Sequence, residues 1–196
     1  MNLPLFPLKT VLFPGCAMDL QIFEARYLDM IGRCMKQAEG FGVVGIVEGE
    51  EVGEAAARFA AVGCEALIRD FQQLPNGLLG IRVEGGRRFR VGRAQVLPDQ
   101  LTVADVDWLD DYPERPLLAE HADLLALLNA LAEHPLVSGL GMDGTVAGQA
   151  DLANQLAYLL PLEVDQKLQL LALDDPLARL ELLQRVLDQL QGELNA

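Results

Sequence analysis

Acyl transfer by a serine needs a hydroxyl with a base in reach, and the chain has one serine, Ser138, in Val137-Ser138-Gly139. No G-x-S-x-G turn surrounds it, and a serine–lysine dyad would have to draw on Lys9, Lys36 or Lys167, the only lysines. Its glycine-rich neighbourhood reads as a loop. The stretch from Gly139 to Gly148 carries Asp143 and no lysine, so it does not match a phosphate-cradling G-x-x-x-x-G-K-[ST] loop. His121 and His134 stand thirteen residues apart and cannot ligate a metal as an i, i+4 pair on one helix face. His121 falls on a leucine stripe, where a buried, hydrogen-bonded imidazole is expected. His134 ends the same stripe, where its charged form would suit a helix C-terminus. Cys16, Cys34 and Cys64 are odd in number and form no C-x-x-C pair, so they read as small buried hydrophobes. These patterns assign no catalytic residue, no metal ligand and no cofactor.

One basic feature stands out. Arg82, Arg87, Arg88, Arg90 and Arg93 cluster around Phe89, the composition of an RNA-binding strand with an aromatic platform. Strand alternation would instead turn Phe89 and Val91 inward and leave Arg88 and Arg90 in water, with surface pairing to Glu84. Long-range charge opposes nucleic acid. The net charge is −14; residues 1–98 hold 11 acidic and 11 basic side chains, and residues 99–196 hold 18 and 4, so the whole surplus lies in the second half. A hydrophobic content of 51% excludes a disordered chain. The leucine-rich stretch from Leu117 to Leu131 is broken by Glu120, His121, Asp123 and Asn129, so no membrane-spanning segment is expected. The prolines near the N-terminus argue against a secretory leader, and a cytoplasmic location is expected.

The elements that position these residues change character along the chain. Pro4, Pro7 and Pro14 bar a helix from Leu3 to Gly15 and require strands that are short or lie at an edge. After the Pro14-Gly15 turn, Tyr27, Met30, Ile31, Cys34 and Ala38 recur at helical spacing, with Arg26, Asp29, Arg33 and Lys36 between them and Gly40 as a stop. Strands are expected over Phe41 to Val47, Ala60 to Phe71, Leu78 to Val83, Arg87 to Ala94 and Leu101 to Leu109. Pro75-Asn76-Gly77 predicts a hairpin, and Gly85-Gly86 a further turn. In the last strand Leu101, Val103, Asp105, Asp107 and Leu109 share one parity, which mixes apolar with acidic and leaves the buried face open.

From Asp110 the pattern becomes helical. The polar junction 110–116 separates a β-rich part, residues 1–110, from a helical part, residues 116–196, in an α+β chain. Pro116 suits a first helical position, followed by the stripe Leu117, His121, Leu124, Leu125, Leu128 and Leu131. Residues 137–148 are expected to form a loop. Helices follow over Gln149 to Leu160, around Val164, Leu168 and Leu171, and from Asp175-Pro176 onward, where Leu177, Leu180, Leu183, Leu187, Leu190 and Leu194 recur.

The N-terminal residues Leu3-Pro4-Leu5-Phe6-Pro7-Leu8, Val11-Leu12-Phe13-Pro14-Gly15 and Ile22-Phe23-Glu24 with Arg26-Tyr27 resemble the start of the LON domain. That domain is the N-terminal substrate-recognition domain of Lon-type ATP-dependent proteases and also occurs as a stand-alone bacterial protein. Phe41-Gly42-Val43-Val44, Val62-Gly63-Cys64, Gly86 to Val91, and Leu159 to Pro161 followed by Lys167 to Leu171 continue the resemblance in order. It implies a PUA-like pseudo-barrel with one helix followed by a helical bundle, and a non-catalytic module without the ATPase and protease parts. The implied partners are unfolded or partly folded polypeptides and an ATP-dependent protease. Phe6, Phe13, Phe23 and Tyr27 become candidate client contacts, each also suited to a core. Pro4, Pro7, Pro14 and Gly15 become structural motif positions, with Glu24 and Arg26 fixing the entry of the first helix. The rival reading is an RNA-binding module using the strand from Arg82 to Arg93.

Overall fold

The computed structural model describes residues 2–56 and 58–194, and the chain divides into two compact units, with the division between Asp110 and Asp111. The first is a mixed β-sheet with one helix, the second a helical bundle.

The first unit contains β1 (Asn2–Leu8), β2 (Ala17–Ile22), α1 (Ala25–Gln37), β3 (Phe41–Glu48), β4 (Arg58–Phe59), β5 (Val62–Gln73), β6 (Leu79–Val96) and β7 (Thr102–Trp108). β1 changes partner midway: residues 2–4 lie antiparallel to β7 and residues 5–8 parallel to β3. Each residue of β1 thus has a ladder partner on one side only, the edge condition under which Pro4 and Pro7 cost no hydrogen bond. The pairings run in a circuit, β1 to β7, β6, β5, β3 and back to β1, with β2 added to the first half of β6. Leu3 and Leu5 from β1, Val44, Phe89, Ala104 and Val106 make a buried cluster. On the other face of β1, the Phe6 ring lies 4.1 Å from Tyr27 and 5.8 Å from Phe41.

One expectation for this sheet is corrected, and one face left open by the sequence is assigned. Gly85-Gly86 is no turn, because β6 runs unbroken from Leu79 to Val96. The glycine serves close approach instead: the Gly85 N–H donates to Cys16 O (2.9 Å), its carbonyl accepts from Gly15 N (2.8 Å), and a Cβ there would stand 2.0 Å from Phe13 O. β7 buries Thr102, Ala104 and Val106, which puts Asp105 and Asp107 on the solvent side. The expected hairpin forms at Pro75-Asn76-Gly77. Leu74 N donates to Leu78 O (2.8 Å) and Asn76 Oδ1 accepts from Leu78 N (3.1 Å).

The second unit begins with a 3-10 turn (Ala119–His121), then α2 (Ala122–Ala132), α3 (Pro135–Gly139), α4 (Gln149–Leu159), α5 (Val164–Ala172) and α6 (Pro176–Leu194). α4 is central: it packs against α2, α5 and α6 and buries Leu152, Ala153, Leu156 and Ala157. Pro116 does not start a helix. Residues 114–116 are pinned to the start of α4, where Glu114 accepts from Ala150 N (2.8 Å) and Asp151 N (3.2 Å) and Arg115 O accepts from Gln149 N (2.9 Å). Residues 135–139, expected partly as loop, form a helical turn because His134 Nδ1 accepts from Leu136 N (3.3 Å) and Pro135 fills the first position. His121 is buried, its Nδ1 accepting from Leu118 N (3.2 Å). Asp175 caps α6 through Leu177 N (3.1 Å), and Leu180, Leu183 and Val186 are buried along it. The side chains of Leu190 and Leu194, expected on the same stripe, lie outside the described residues.

Candidate functional site

The N-terminal motif builds the start of α1. Glu24 is its N-cap in extended conformation, and the Glu24 carboxylate pairs with Arg26 at 2.9 Å. Arg26 falls off the apolar stripe in sequence, yet it is buried: its guanidinium donates to Gln100 O (2.9 Å) and lies 4.7 Å from the centre of the Tyr27 ring. Gln100 holds a left-handed conformation (φ 67°) in the turn between β6 and β7, so one arginine ties the helix start to that turn. Burial pushes the Tyr27 phenol up from its usual range.

The other end of α1 shapes a surface. Tyr27, Met30, Ile31 and Cys34 are buried along the helix, which stops at Ala38 in a left-handed conformation (φ 54°). Glu39 N donates to Cys34 O (3.0 Å), and the chain then squeezes past β5 at Gly40, where a Cβ would meet Ala66 O at 2.8 Å. Two adjoining grooves of about 420 and 380 Å³ curve around this end and share Cys34, Ala38, Glu39 and Leu67. The wider one also meets Leu3, Pro4, Met30, Leu97 and Leu101; the narrower one is flanked by Met35, Ile68, Arg69, Asp70 and Phe71. Met35 (38% exposed) and Phe71 (57% exposed) leave apolar surface at its mouth.

β5 offers its own edge beside this groove. It pairs with β3 only over Cys64 to Ala66, and from Leu67 to Gln73 it has a ladder partner on the β6 side alone. A register shift between Ile68 and Asp70 swaps the parity of the strand. Phe71 therefore joins the row Leu20–Ile81–Phe71, the same face as Ile68 and Val83. The Phe71 N–H is covered by Asp70 Oδ1 at 2.8 Å.

Residues 2–189 match the family model described as the ATP-dependent protease La (LON) substrate-binding domain. The chain belongs to this family. It is similar to a Lon N-terminal domain protein from Xanthomonas campestris, with 38% identity, a TM-score of 0.77, and coverage of 94% of this chain and 98% of that one. The N-terminal domain of a Lon protease from the Mycobacterium avium complex shares the fold at 21% identity and a TM-score of 0.65, over 93% of this chain and 96% of that one. The match is to the substrate-binding domain, not to the ATPase or protease parts of such enzymes.

Within this LON domain the motif residues divide sharply. Phe6, Phe13 and Tyr27 are buried, whereas Phe23 is 52% exposed. Pro4 lines the wider groove, Pro7 is buried, and Gly15 (φ 75°) completes the turn after Pro14 against Gly85. Part of the arginine cluster is engaged within the fold, while Arg90 and Arg93 are exposed. Arg82 pairs in bidentate fashion with Asp19 (2.8 and 2.8 Å), and Arg87 lies over the Trp108 ring (3.9 Å) and 3.6 Å from Glu65. Arg88, expected in water, is fully buried, as is Phe89 beside it: the second half of β6 is covered on both faces there. Glu84 is paired by Arg69 (2.9 Å) rather than by a member of the cluster. Ser138 is exposed and donates to Pro135 O (3.2 Å). Among the described residues, no three His, Cys, Asp or Glu side chains are grouped to hold a metal ion, and no helix is long and apolar enough to cross a membrane.

Met35, Phe71, Glu39 and Asp70 are not singled out by sequence. Phe71 carries a signal, being an aromatic ring on the wrong parity for its strand in Arg69-Asp70-Phe71-Gln72-Gln73. Met35 lies off the buried stripe of α1 and follows Leu28 (39% exposed) at seven residues, so the helix has a second, weaker apolar line.

Proposed function

We propose that this LON domain holds unfolded or partly folded polypeptides without acting on them chemically, and presents them to an ATP-dependent protease in the cytoplasm. The observation that carries this is the groove around the C-terminal end of α1, apolar at its floor and mouth and bordered by the one-sided stretch of β5. Family membership supports it, since the matching description is that of a substrate-binding domain. The circuit of strand pairings supports reading the first unit as a PUA-like pseudo-barrel, with β2, the first half of β6 and the second half of β5 projecting from it. An extended client segment can add to an open strand edge while its alternate side chains enter the neighbouring groove. Ordering such a segment offsets much of the contact energy, so affinity is on the order of micromolar.

Titration against a reduced, denatured polypeptide and its folded counterpart tests the reading. Saturable binding to the denatured form alone is expected, weakened by Phe71→Ala. Equal binding to both forms, or to neither, contradicts it.

A further inference from the structure

Charge around the narrower groove is uneven. Its rim carries Glu39 and Asp70, both exposed, and the C-terminal end of α1 adds the negative pole of a helix dipole. Of the basic residues nearby, Arg69 is engaged by Glu84 (2.9 Å), Arg82, which the charge of Asp70 also reaches, is held by Asp19 (2.8 Å), Lys36 stands in the last turn of α1, and Arg33 lines only the wider groove. Burial pushes the Cys34 thiol on the shared floor up from its usual value, and the charge of Glu39 adds to the push while that of Arg33 opposes it. Of the two carboxylates, Glu39 thus acts on the floor of the groove and not only on solvent. Beside it, the outer edge of β5 from Leu67 to Phe71 asks for the backbone of an extended chain, and Ile68, Met35 and Phe71 ask for apolar side chains.

We propose that the groove selects extended apolar segments that carry a lysine or arginine next to the apolar residues, with the cation seated between Glu39 and Asp70. The inference rests on the polypeptide-binding reading and names the class of segment bound. A cation there would be attracted by two carboxylates, while an acidic flank would be repelled by both. Asp70 has a second role, since its carboxylate covers the Phe71 N–H and so shields the strand edge until a client cation draws it away.

The test uses two fluorescent peptides with the same apolar core, one flanked by lysines and one by glutamates, titrated into the full chain at low and high salt. The lysine-flanked peptide is expected to bind about fivefold more tightly at low salt, with the ratio shrinking as salt rises. Glu39→Gln combined with Asp70→Asn is expected to erase the preference by bringing the lysine-flanked peptide down to the affinity of the glutamate-flanked one, with the fold of the variant checked by its unfolding midpoint. Equal affinity of the two peptides, or a preference that survives the double substitution, overturns the proposal while denatured-polypeptide binding persists. Loss of denatured-polypeptide binding by the unmodified chain overturns the underlying reading instead. Concentration-dependent dimerisation abolished by Phe71→Ala would assign the groove to a second copy of the chain and also overturn the proposal.

Discussion

The two units are held together in different ways. In the first, close approach depends on missing side chains: Gly85 admits the Phe13 carbonyl, and Gly42 and Gly63 make room for the Phe89 ring, whose Cζ would lie 2.6 and 2.5 Å from a Cβ at those positions. In the second, helices meet through side-chain volume, with Leu152, Leu156, Leu170 and Leu183 all fully buried. Two spots there are comparable among the described residues: Gly148, where a Cβ would stand 2.2 Å from Arg115 O at the start of α4, and Gly144, where it would stand 2.8 Å from Asn129 Oδ1. Charge differs too. Residues 1–110 hold 15 acidic and 11 basic side chains (net −4), and residues 111–196 hold 14 and 4 (net −10). A sheet that closes on itself fixes distances between strands and so needs absent side chains. A bundle can adjust helix spacing and needs present ones.

If that contrast is right, the most damaging single methyl group belongs in the sheet. Gly85→Ala places a carbon 2.0 Å from Phe13 O and 2.7 Å from Phe13 C, both backbone atoms that cannot swing aside. The expected cost is roughly 4 kcal/mol, read as a lower urea midpoint with unchanged slope. In the bundle, the corresponding test removes volume. Leu156→Ala on α4, at 0% exposure, is expected to cost about 3 kcal/mol through transfer and cavity terms. A tolerated Gly85→Ala would break the comparison.

The same contrast explains what could be read from the sequence. The bundle was legible where one helix faces one core: α4, α5 and α6 begin and end close to where their leucine spacing and prolines place them. It failed at Pro116, because the strap at 114–116 is ordered by the distant start of α4 rather than by its neighbours in sequence. In the sheet, the Pro75-Asn76-Gly77 hairpin was legible since a turn is local chemistry. The continuity of β6 through Gly85-Gly86 and the burial of Arg88 depend on which strands cross there, and a single strand's composition does not say. The groove was the least legible part. Its mouth residue Phe71 faces Ile81 only because of a register shift, which inverts the alternation that a sequence reader must assume.

Not every glycine of the first unit serves a close approach, and α1 provides the control. Gly32 lies inside the helix, between the exposed Leu28 and Met35, and a Cβ added there would have no atom within 4 Å beyond the helix's own backbone and its chain neighbours. Gly32→Ala should therefore stabilise by about 0.7 kcal/mol, since alanine loses less backbone entropy in a helix. Opposite signs for the same substitution at positions 85 and 32, measured by thermal unfolding, would sharpen the contrast to single positions. A destabilising Gly32→Ala would show that α1 needs its glycine for a contact within the fold.

The smallest effect expected comes from the charged face of the projecting strands, where Asp19 of β2 and Arg82 of β6 sit opposite each other. The hydrogen bond from Arg82 holds the Asp19 carboxyl below its ordinary value of 3.8, with the Coulombic attraction adding to it against a modest burial cost. A carboxyl depressed in the folded state contributes stability that is present above its unfolded pKa and is lost as pH falls through the folded value. The loss therefore belongs below about pH 4, where Asp19 takes up a proton. Both side chains are well exposed, at 56% and 39%, so water and salt screen the pair and the contribution is a few tenths of a kcal/mol, roughly. Asp19→Asn should flatten the acid limb of a stability–pH curve by that amount and leave neutral-pH binding of a denatured polypeptide unchanged. A drop of several kcal/mol would instead mean that β2 is held to the sheet by this pair rather than by its backbone ladder to β6.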